Sequence, residues 1–362
     1  MEETPEKLPL KIQPNTSSKS YNVHSGAKTT NNTPLIGADY FGKGISLDIS
    51  KMFPVVIMAT MSCGKSTLIN ALLGKDILPS RNAACTAKVY SILDNDDATT
   101  KIYLTDRNGV VSIFDENLAS VLEAANTDAD IKNITISSQI KGVLNTRKSL
   151  LIIDTPGTNN SRDKEHEKIA KRVLRKIKGG LIIYIINAEQ MGINDDKASL
   201  SNLCTFLNRN KSVSVLFVVN KIDLIDTEKE SLEKFIAEIK DYIINCGISN
   251  PEILPVSALS AHIFNKALNG EELTKKQYRL FEYSFELYKP DTMNLVSYAI
   301  TRDFPNQYGY INLFGKKYQV SDIVGALNNT GIPYLKRYIQ NAQICSDFPS
   351  KVKVNIKKES RK

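Results

Sequence analysis

Residues 59–67, Ala-Thr-Met-Ser-Cys-Gly-Lys-Ser-Thr, have the composition and spacing of a loop that binds phosphate groups. They follow an apolar run at Phe53–Met58 and precede a stretch of helical spacing at Leu68–Gly74. In a strand, loop and helix of this order, backbone N–H groups and the positive end of the helix dipole face the phosphates. Lys65 is predicted to reach the β- and γ-phosphates, and the Ser66 hydroxyl is predicted to bind Mg²⁺.

The predicted phosphate contacts are contiguous in the loop and the start of its helix. Ala59 stands where such loops usually have their first glycine, and its methyl group is small. The predicted contacts are Ser62, Cys63, Gly64, Lys65, Ser66 and Thr67.

A second motif, Asp154-Thr-Pro-Gly157, ends the apolar run Leu150–Ile153. A carboxylate at the end of a strand can hold Mg²⁺ through a water molecule. A glycine allows a backbone N–H group to approach the γ-phosphate closely. We therefore predict that Asp154 is a metal ligand and that Gly157 contacts the nucleotide.

A third motif, Asn220-Lys-Ile-Asp223, ends the run Val213–Val219 and has the chemistry of base recognition. The Asp223 carboxylate can accept hydrogen bonds from both N1–H and the 2-amino group of guanine. Adenine offers neither donor, and the unpaired buried carboxylate would cost about 1–3 kcal/mol or more. Asn220 is predicted to bind the base edge and brace the phosphate loop, and the Lys221 stem to pack on the purine face.

Two further positions complete the predicted site. Ser257 and Ala258 follow another strand-like run and are predicted to offer backbone N–H groups to the guanine carbonyl oxygen. Thr86, 21 residues after Lys65, is predicted to contact Mg²⁺ and to sense the γ-phosphate. All of these motifs fall at predicted strand ends, and together they favour a guanine nucleotide over ATP.

The elements that must position these residues alternate between short β-branched runs and helix-like stretches, which is typical of an α/β domain with a largely parallel sheet and helices on both faces. The predicted strands are Pro54–Met58, Leu150–Ile153, Leu181–Ile186, Val213–Val219 and Ile253–Val256, and the predicted helices are Ser66–Leu73, Asp163–Lys178, Asp195–Leu207 and Glu228–Asn245.

A second group of runs lies between Thr86 and Asp154 and is predicted to extend one edge of the sheet in antiparallel fashion. Its members are the strands Lys88–Leu93, Lys101–Leu104, Val110–Ile113 and Ile131–Ser137, with one helix around Asn117–Ala125. The sequence thus predicts a P-loop GTPase fold enlarged by extra strands.

We predict three regions along the chain. Residues 1–46 are polar and interpreted as a disordered leader. Residues 47–345 form the GTPase domain, in which the aromatic-rich stretch 260–328 is helical at first and then mixed, either a packed insertion or a partner surface. A closing amphipathic helix is predicted over residues 331–344, and residues 346–362 form a basic tail.

Composition excludes several classes of protein. With 42% hydrophobic and 24% charged residues, the 362-residue chain has an ordinary globular composition. Its net charge of +8 permits contact with nucleic acid or an anionic membrane without indicating either. Five scattered cysteines fit a reducing cytosol and not a disulfide framework or zinc site. The longest strongly apolar run is far shorter than the roughly 20 residues of a membrane span.

At this point the chain resembles the dynamin superfamily, in particular the bacterial dynamin-like GTPases. The resemblance rests on Met61–Gly74, on Ile77–Ser80 followed by Ala84–Ala87, and on Asp154–Asn160, and it covers roughly residues 48–345. Era-type and EngA-type GTPases share similar motifs but place the switch threonine only a few tens of residues before the Asp-Thr-Pro-Gly motif. Here the interval from residue 86 to residue 154 is 68 residues, which favours the dynamin type.

The resemblance implies hydrolysis of GTP, stimulated when two GTPase domains meet across the nucleotide. Thr158 follows the Asp-Thr-Pro-Gly motif, so the glutamine that orients water in Ras-type enzymes is missing. Ser62 matches a family serine implicated in binding a monovalent cation, K⁺ or Na⁺. Met61 replaces the glutamine of eukaryotic dynamins. Ser62, Lys65 and Thr86 are accordingly the predicted catalytic residues.

No stalk-like helices or hydrophobic paddle follow the closing helix, so we expect a solitary GTPase domain, a fragment, or one half of a pair whose partner carries the stalk. The expected partners are GTP or GDP, a second copy or a stalk-bearing protein, and a peripheral membrane contact from the cytoplasm. Two alternatives stay open: a nucleotide-switched binding module with little hydrolysis, and an Era-like RNA- or ribosome-associated GTPase. The second ranks last, because no nucleic-acid-binding module is evident.

Overall fold

The computed structural model describes residues 51–59, 62–79, 88–96, 99–155, 164–177, 179–190, 194–226, 231–289, 293–295 and 309–347. Two predicted site residues, Thr86 and Gly157, lie outside these ranges, and so do Met61 and Thr158. The predicted leader over residues 1–46 and most of the predicted basic tail also lie outside them.

A nine-stranded sheet forms the centre of the structure, in the order β4-β3-β5-β2-β6-β1-β7-β8-β9, and a separate hairpin pairs β10 with β11. The strands are β1 Met52–Ala59, β2 Tyr90–Asp94, β3 Lys101–Asp106, β4 Val111–Phe114, β5 Ile131–Ser138, β6 Ser149–Asp154, β7 Gly180–Asn187, β8 Val213–Asn220, β9 Ile253–Val256, β10 Tyr310–Leu313 and β11 Lys316–Gln319.

Nine α-helices are present in the described part of the chain. They are α1 Lys65–Leu73, α2 Leu118–Thr127, α3 Lys164–Lys176, α4 Asn194–Arg209, α5 Leu232–Asn245, α6 Ala258–Leu268, α7 Lys275–Leu287, α8 Val320–Asn329 and α9 Ile332–Asp347. The predicted helices of the α/β pattern and the predicted closing helix are therefore confirmed, with ends shifted by a few residues.

The central strands are parallel, as the apolar runs predicted. Strand β1 pairs in parallel with β6 and with β7, β7 pairs with β8, and β8 pairs with β9. Strands that are buried on both faces need nearly continuous apolar sequence, and β7 is buried at every residue after Gly180. Because these strands run the same way, their carboxyl ends meet at one edge of the sheet, where Ala59, Asp154 and Asn220 lie.

The extension of the sheet is only partly antiparallel. Strand β2 is antiparallel to β6, and β3 is antiparallel to both β4 and β5, as predicted. The prediction is wrong for β2 and β5, which pair in parallel. The physical reason is connectivity: after the β3–β4 hairpin, helix α2 returns the chain to the other end of the sheet, so that β5 runs in the direction of β2.

Helices cover both faces of the sheet. On β1, Val55 and Ile57 face a layer that includes residues of α1, α2 and α9, whereas Val56 and Met58 face residues of α3 to α8. This alternation is the period-two pattern of a strand buried on both sides. The predicted two-sided α/β fold is confirmed.

The aromatic-rich stretch is helical in α6 and α7 and then forms the β10–β11 hairpin before α8, in the predicted order. Phe281 of α7 is fully buried and meets Phe264 and Tyr318 edge to face at 5.6 and 5.0 Å between ring centroids. These three rings share one apolar layer with strand residues, so this part of the stretch packs against the sheet. None of the described helices combines the length and the apolar character needed to cross a membrane.

Asp94 ends β2 at the opposite edge of the sheet from the predicted site. Its Oδ1 accepts a hydrogen bond from the Ile140 N–H group at 2.8 Å, and its Oδ2 is buried without a hydrogen-bond partner among the described residues. Burial raises the pKa of Asp94 to about 6; the Ile140 hydrogen bond opposes this rise and the neighbouring Asp96 adds to it. Asp94 is therefore more acidic in the unfolded chain than in the folded one.

This shift in pKa predicts a pH-dependent stability. Because the folded protein holds the proton more tightly, its free energy of unfolding should fall as pH rises from about 4 to about 6. Asp94→Asn keeps an oxygen for Ile140 and removes the charge, so it should be about 1–2 kcal/mol more stable than the wild type at pH 7.5 and similar at pH 4. Urea denaturation at the two pH values, with the exposed Asp241→Asn as control, measures this. Equal stability at pH 7.5 would contradict it.

Candidate functional site

The phosphate loop connects β1 to α1 with the backbone geometry that its sequence requires. Gly64 caps the helix in the left-handed region, at φ 81°, and contributes no side chain to the cap. The first helical hydrogen bond runs from Leu68 N–H to the Gly64 carbonyl at 2.9 Å. The N–H groups of Lys65, Ser66 and Thr67 precede that bond and have no partner within the helix, so they are placed to bind an anion.

Lys65 lies beside the aspartate that ends β6. Its Nζ is 2.8 Å from Asp154 Oδ1, and both side chains are largely buried. Burial raises the pKa of the Asp154 carboxyl, and the Lys65 ammonium partly offsets the rise. Thr155 fixes the end of this strand, because its hydroxyl and N–H both donate to the Ile57 carbonyl on β1. The structure thus brings two predicted phosphate- and metal-site residues into one ion pair.

Asn220, at the end of β8, joins three loops through its side chain. Its Nδ2 donates to the Cys63 carbonyl at 2.8 Å, and its Oδ1 accepts from the Ala258 N–H at 3.0 Å. The predicted bracing of the phosphate loop is therefore present. The sequence did not predict that the same side chain also holds the start of α6.

Asp223 follows in the next turn and is 7% exposed. Its Oδ1 is buried without a hydrogen-bond partner in the part of the chain that the structure describes. Burial raises the pKa of Asp223, with hydrogen bonding and Lys221 acting against the rise. The carboxyl thus retains an unused acceptor at the edge of the sheet that carries the phosphate loop.

Lys221 is held in place by a residue that sequence reasoning missed. Its backbone is left-handed, at φ 68°, and its Nζ lies 3.2 Å from Glu189 Oε2, in the turn after β7. The signal available in the sequence was an acidic residue three positions after a predicted strand, which is too common to single out.

The N–H groups of Ser257 and Ala258 have protein partners in this structure, and their predicted use in base binding stays a prediction. Their N–H groups were expected to face the guanine carbonyl oxygen. The Ser257 N–H instead donates to the Thr330 carbonyl at 3.0 Å, and the Ala258 N–H donates to Asn220 Oδ1. Both donors are consumed because Ser257 and Ala258 join β9 to α6 at a point where two other loops converge.

Asn70 is a second functional candidate that sequence reasoning missed. It is buried in α1, and its Oδ1 accepts from the N–H groups of Ile77 and Leu78 at 3.2 and 2.8 Å. Its Nδ2 donates to the Leu78 carbonyl at 2.8 Å. These bonds anchor the segment that leads toward Thr86 and tie its starting point to the phosphate-loop helix.

Three features lie on one edge of a mostly parallel sheet: a phosphate loop after β1, an aspartate at the end of β6 and an Asn-Lys-x-Asp motif at the end of β8. Together they define a P-loop GTPase fold. Comparison with known proteins agrees. The family model described as the Dynamin family matches residues 55–222. Over these residues, which make up less than half of the chain, the protein is similar to the dynamin superfamily of GTPases.

Related proteins come from two branches of GTPases. GTPase Era of Borreliella burgdorferi (strain ZS7) is 30% identical over 176 residues, covering 47% of this chain and 54% of that protein. Dynamin-like protein 1 of Campylobacter jejuni is 25% identical over 300 residues, covering 69% of this chain and 39% of that protein. The chain thus spans about half the length of its Era relative and less of the dynamin-like one.

Among solved structures, one of an oligomerised bacterial dynamin pair, described as sensing and tethering membranes, superposes with a TM-score of 0.46 at 24% identity. The superposition covers 66% of this chain and 38% of the chain of the bacterial dynamin.

Gly64 provides a test of the loop geometry. A Cβ at this position would lie 2.6 Å from Asn220 Nδ2, the atom that braces the loop. Gly64→Ala should therefore weaken GDP binding at least about tenfold, since it adds steric displacement of Asn220 to left-handed strain of about 1–3 kcal/mol. Isothermal titration calorimetry measures the affinity.

Gly74→Ala is the matched control. Gly74 ends the same helix with a similar φ of 72°, and a Cβ there would have nothing within 4 Å. It should lower stability without changing GDP affinity. Similar losses of affinity in the two variants would contradict the role of the Gly64–Asn220 contact.

Proposed function

We propose that this protein binds GTP with Mg²⁺ and hydrolyses it to GDP and phosphate. The observation that carries the proposal is the buried, unused Oδ1 of Asp223, in a loop that Asn220 ties directly to the phosphate loop. A carboxylate oxygen in this position accepts from the N1–H and 2-amino groups of guanine. It has no matching donors on adenine, which supports guanine specificity.

On binding, the Lys65 ammonium exchanges Asp154 for the β- and γ-phosphate oxygens, which carry more negative charge. The N–H groups at the start of α1 hold the same phosphates. The donor set fits Mg²⁺, because the Ser66 hydroxyl and the Asp154 carboxylate are the hard oxygen ligands that it prefers. When bound, Mg²⁺ neutralises charge that develops on the phosphoryl oxygens.

Three residues have proposed roles in hydrolysis beyond these. Ser62, exposed and in the left-handed region at φ 62°, is proposed to help bind K⁺ or Na⁺ at the phosphates. Thr86 and Gly157 are proposed to contact the metal and the γ-phosphate from segments outside the described residues.

We further propose that a second copy stimulates hydrolysis. Three apolar side chains beside the base-recognition loop are strongly exposed: Leu224 (53%), Leu259 (41%) and Tyr283 (56%). Exposed apolar groups next to a nucleotide site are suited to an interface that forms across that site. A stalk-bearing partner and a peripheral contact with the cytoplasmic side of a membrane complete the proposal.

Base specificity can be tested at Asp223. Asp223→Asn replaces an acceptor by a donor, so affinity for GDP should fall about tenfold to a hundredfold, while affinity for xanthosine diphosphate, which has a carbonyl at the 2-position, should rise. Fluorescence titration of both nucleotides measures this, with the exposed Asp241→Asn as control. Unchanged GDP affinity would overturn the assignment of the guanine site.

Self-activation can be tested by phosphate release over a hundredfold range of protein concentration, in K⁺ and in Na⁺. Turnover per molecule should rise with concentration, and Lys65→Ala should abolish it at every concentration. Turnover that stays flat but measurable would contradict the role of the second copy. Tight binding without multiple turnover would instead favour a nucleotide-switched binding module.

A further inference from the structure

Three lysines from distant parts of the sequence lie together at the edge of the sheet opposite the predicted nucleotide site. Lys75 follows the end of α1, Lys141 follows β5, and Lys336 belongs to α9. Lys75 and Lys336 are half-buried, whereas Lys141 is exposed. We refer to Lys75, Lys141 and Lys336 as the lysine cluster.

Hydrogen bonds to neutral groups hold Lys141 between the other two lysines. The Lys141 Nζ donates to Asn269 Oδ1 at 3.2 Å, and Asn269 Nδ2 donates at 2.8 Å to the carbonyl of Gly74, the residue before Lys75. The Lys336 Nζ donates to the Lys141 carbonyl at 2.9 Å. One bridging amide and one direct bond therefore connect the end of α1, the loop after β5 and helix α9.

A second path of hydrogen bonds connects Lys75 to the same loop. The Lys75 Nζ donates to the Thr100 hydroxyl at 3.0 Å, and the Thr100 and Ser138 oxygens are 3.0 Å apart. Ser138 is fully buried at the end of β5, three residues before Lys141. Lys75 and Lys141 are thus linked on two sides by neutral polar groups, which fix their backbones relative to each other.

The ammonium groups of the cluster oppose one another electrostatically. Burial lowers the pKa of Lys75, and the charge of Lys141 lowers it further. Burial also lowers the pKa of Lys336, to about 8, with the charge of Lys141 acting in the same direction. Both burial and a nearby like charge disfavour the charged form of a lysine, so a bound anion would relieve both effects.

No carboxylate neutralises the cluster among the described residues. None of its three lysines has an ion-pair partner there. The acidic groups nearest in sequence and contact are engaged elsewhere: Asp76 Oδ2 lies 2.7 Å from the Lys266 Nζ, and Glu271, which accepts from Asn269 Nδ2 at 3.3 Å, lies 3.4 Å from the same Lys266 atom. Partly buried charges are normally paired, and here the partner is missing from the protein itself.

We propose that the lysine cluster binds a phosphate monoester or polyphosphate group that carries two or more negative charges. Each ammonium has three N–H donors and uses one of them on a neutral oxygen, so donors remain for an anion. A lysine binds phosphate oxygens as a point charge, and a recess lined by one sign of charge concentrates ions of the other sign. This site is independent of the proposed GTP site, which lies at the other edge of the sheet.

The test measures binding of pyrophosphate to the full chain by calorimetry at about 0.15 M salt, where exposed charges are well screened. It is done with Lys65→Ala, because that substitution weakens the phosphate loop as a competing site. Lys65→Ala should bind pyrophosphate, and adding Lys141→Gln or Lys336→Gln should weaken this binding about tenfold or more, since each removes one charged donor. Lack of binding by Lys65→Ala, or binding that neither glutamine changes, would overturn the inference.

Lys240→Gln is the matched control. Lys240 is exposed on α5, on the other face of the sheet, and its substitution changes the net charge by the same amount. It should leave pyrophosphate affinity unchanged, and an equal loss with Lys240→Gln would show a diffuse effect of net charge and contradict a site. Thermal melts check folding, and Lys141 is exposed, so its variant keeps the test valid even where Lys336→Gln unfolds.

The same substitutions in the otherwise wild-type chain separate this site from the proposed function. Lys141→Gln and Lys336→Gln should leave GDP affinity unchanged, because the cluster lies at the other edge of the sheet. Loss of pyrophosphate binding with normal GDP affinity supports the cluster alone. A tenfold loss of GDP affinity in both variants would contradict its independence from the nucleotide site.

Co-sedimentation with vesicles distinguishes a lipid headgroup from a soluble phosphate compound. Phosphatidic acid presents a phosphate monoester, whereas phosphatidylserine presents a diester and a carboxylate. If the ligand is a lipid, the wild type should sediment with phosphatidic acid vesicles, not with phosphatidylserine vesicles, and Lys141→Gln should lose this binding. If it is soluble, pyrophosphate should bind without any such sedimentation.

Discussion

The arrangement of the site depends on the two hydrogen bonds of the Asn220 side chain. One fixes the carbonyl of Cys63 in the phosphate loop, and the other fixes the N–H of Ala258 at the start of α6. The predicted phosphate-binding and base-binding residues lie at the ends of different strands. One nucleotide can contact both groups only if the distance between them is fixed. A buried amide whose donor and acceptor are both used provides this link, since its loss would leave two backbone groups unpaired. The close approach also explains why position 64 must be glycine.

Around this link the protein places carboxylates where burial opposes their charge. Burial raises the pKa of both Asp154 and Asp223. Asp154 has Lys65 as its partner, whereas Oδ1 of Asp223 is buried without a hydrogen-bond partner among the described residues. Under the proposed function, Asp154 would gain a metal ion and Asp223 the two donors of a guanine base. A ligand that lacks the matching charge or donors would leave the buried carboxylates without this compensation.

Much of this could be predicted from sequence, for a physical reason. Parallel strands buried on both faces require long apolar runs, and their carboxyl ends must meet at one edge, so Lys65, Asp154 and Asn220 could be placed together from their positions after such runs. The parallel pairing of β2 and β5 could not be predicted in this way, since it depends on how α2 returns the chain. The hydrogen-bond partners of the Ser257 and Ala258 N–H groups could not be predicted either, because they are a carbonyl and a side-chain amide from distant segments.

The C-terminal helices complete the base side of the site even though the recognisable motifs end before them. The Ser257 N–H is taken by the Thr330 carbonyl, and the next residue, Gly331, has a φ of 79°. A Cβ on Gly331 would lie 2.5 Å from the Pro255 carbonyl on β9, so only glycine allows the turn between α8 and α9 to lie against that strand. The position of Ser257 therefore depends on a turn more than 70 residues further along the chain. The segment that follows β9 is therefore positioned by residues from the far end of the domain, whereas the phosphate loop lies between β1 and α1 and is braced from β8 by Asn220.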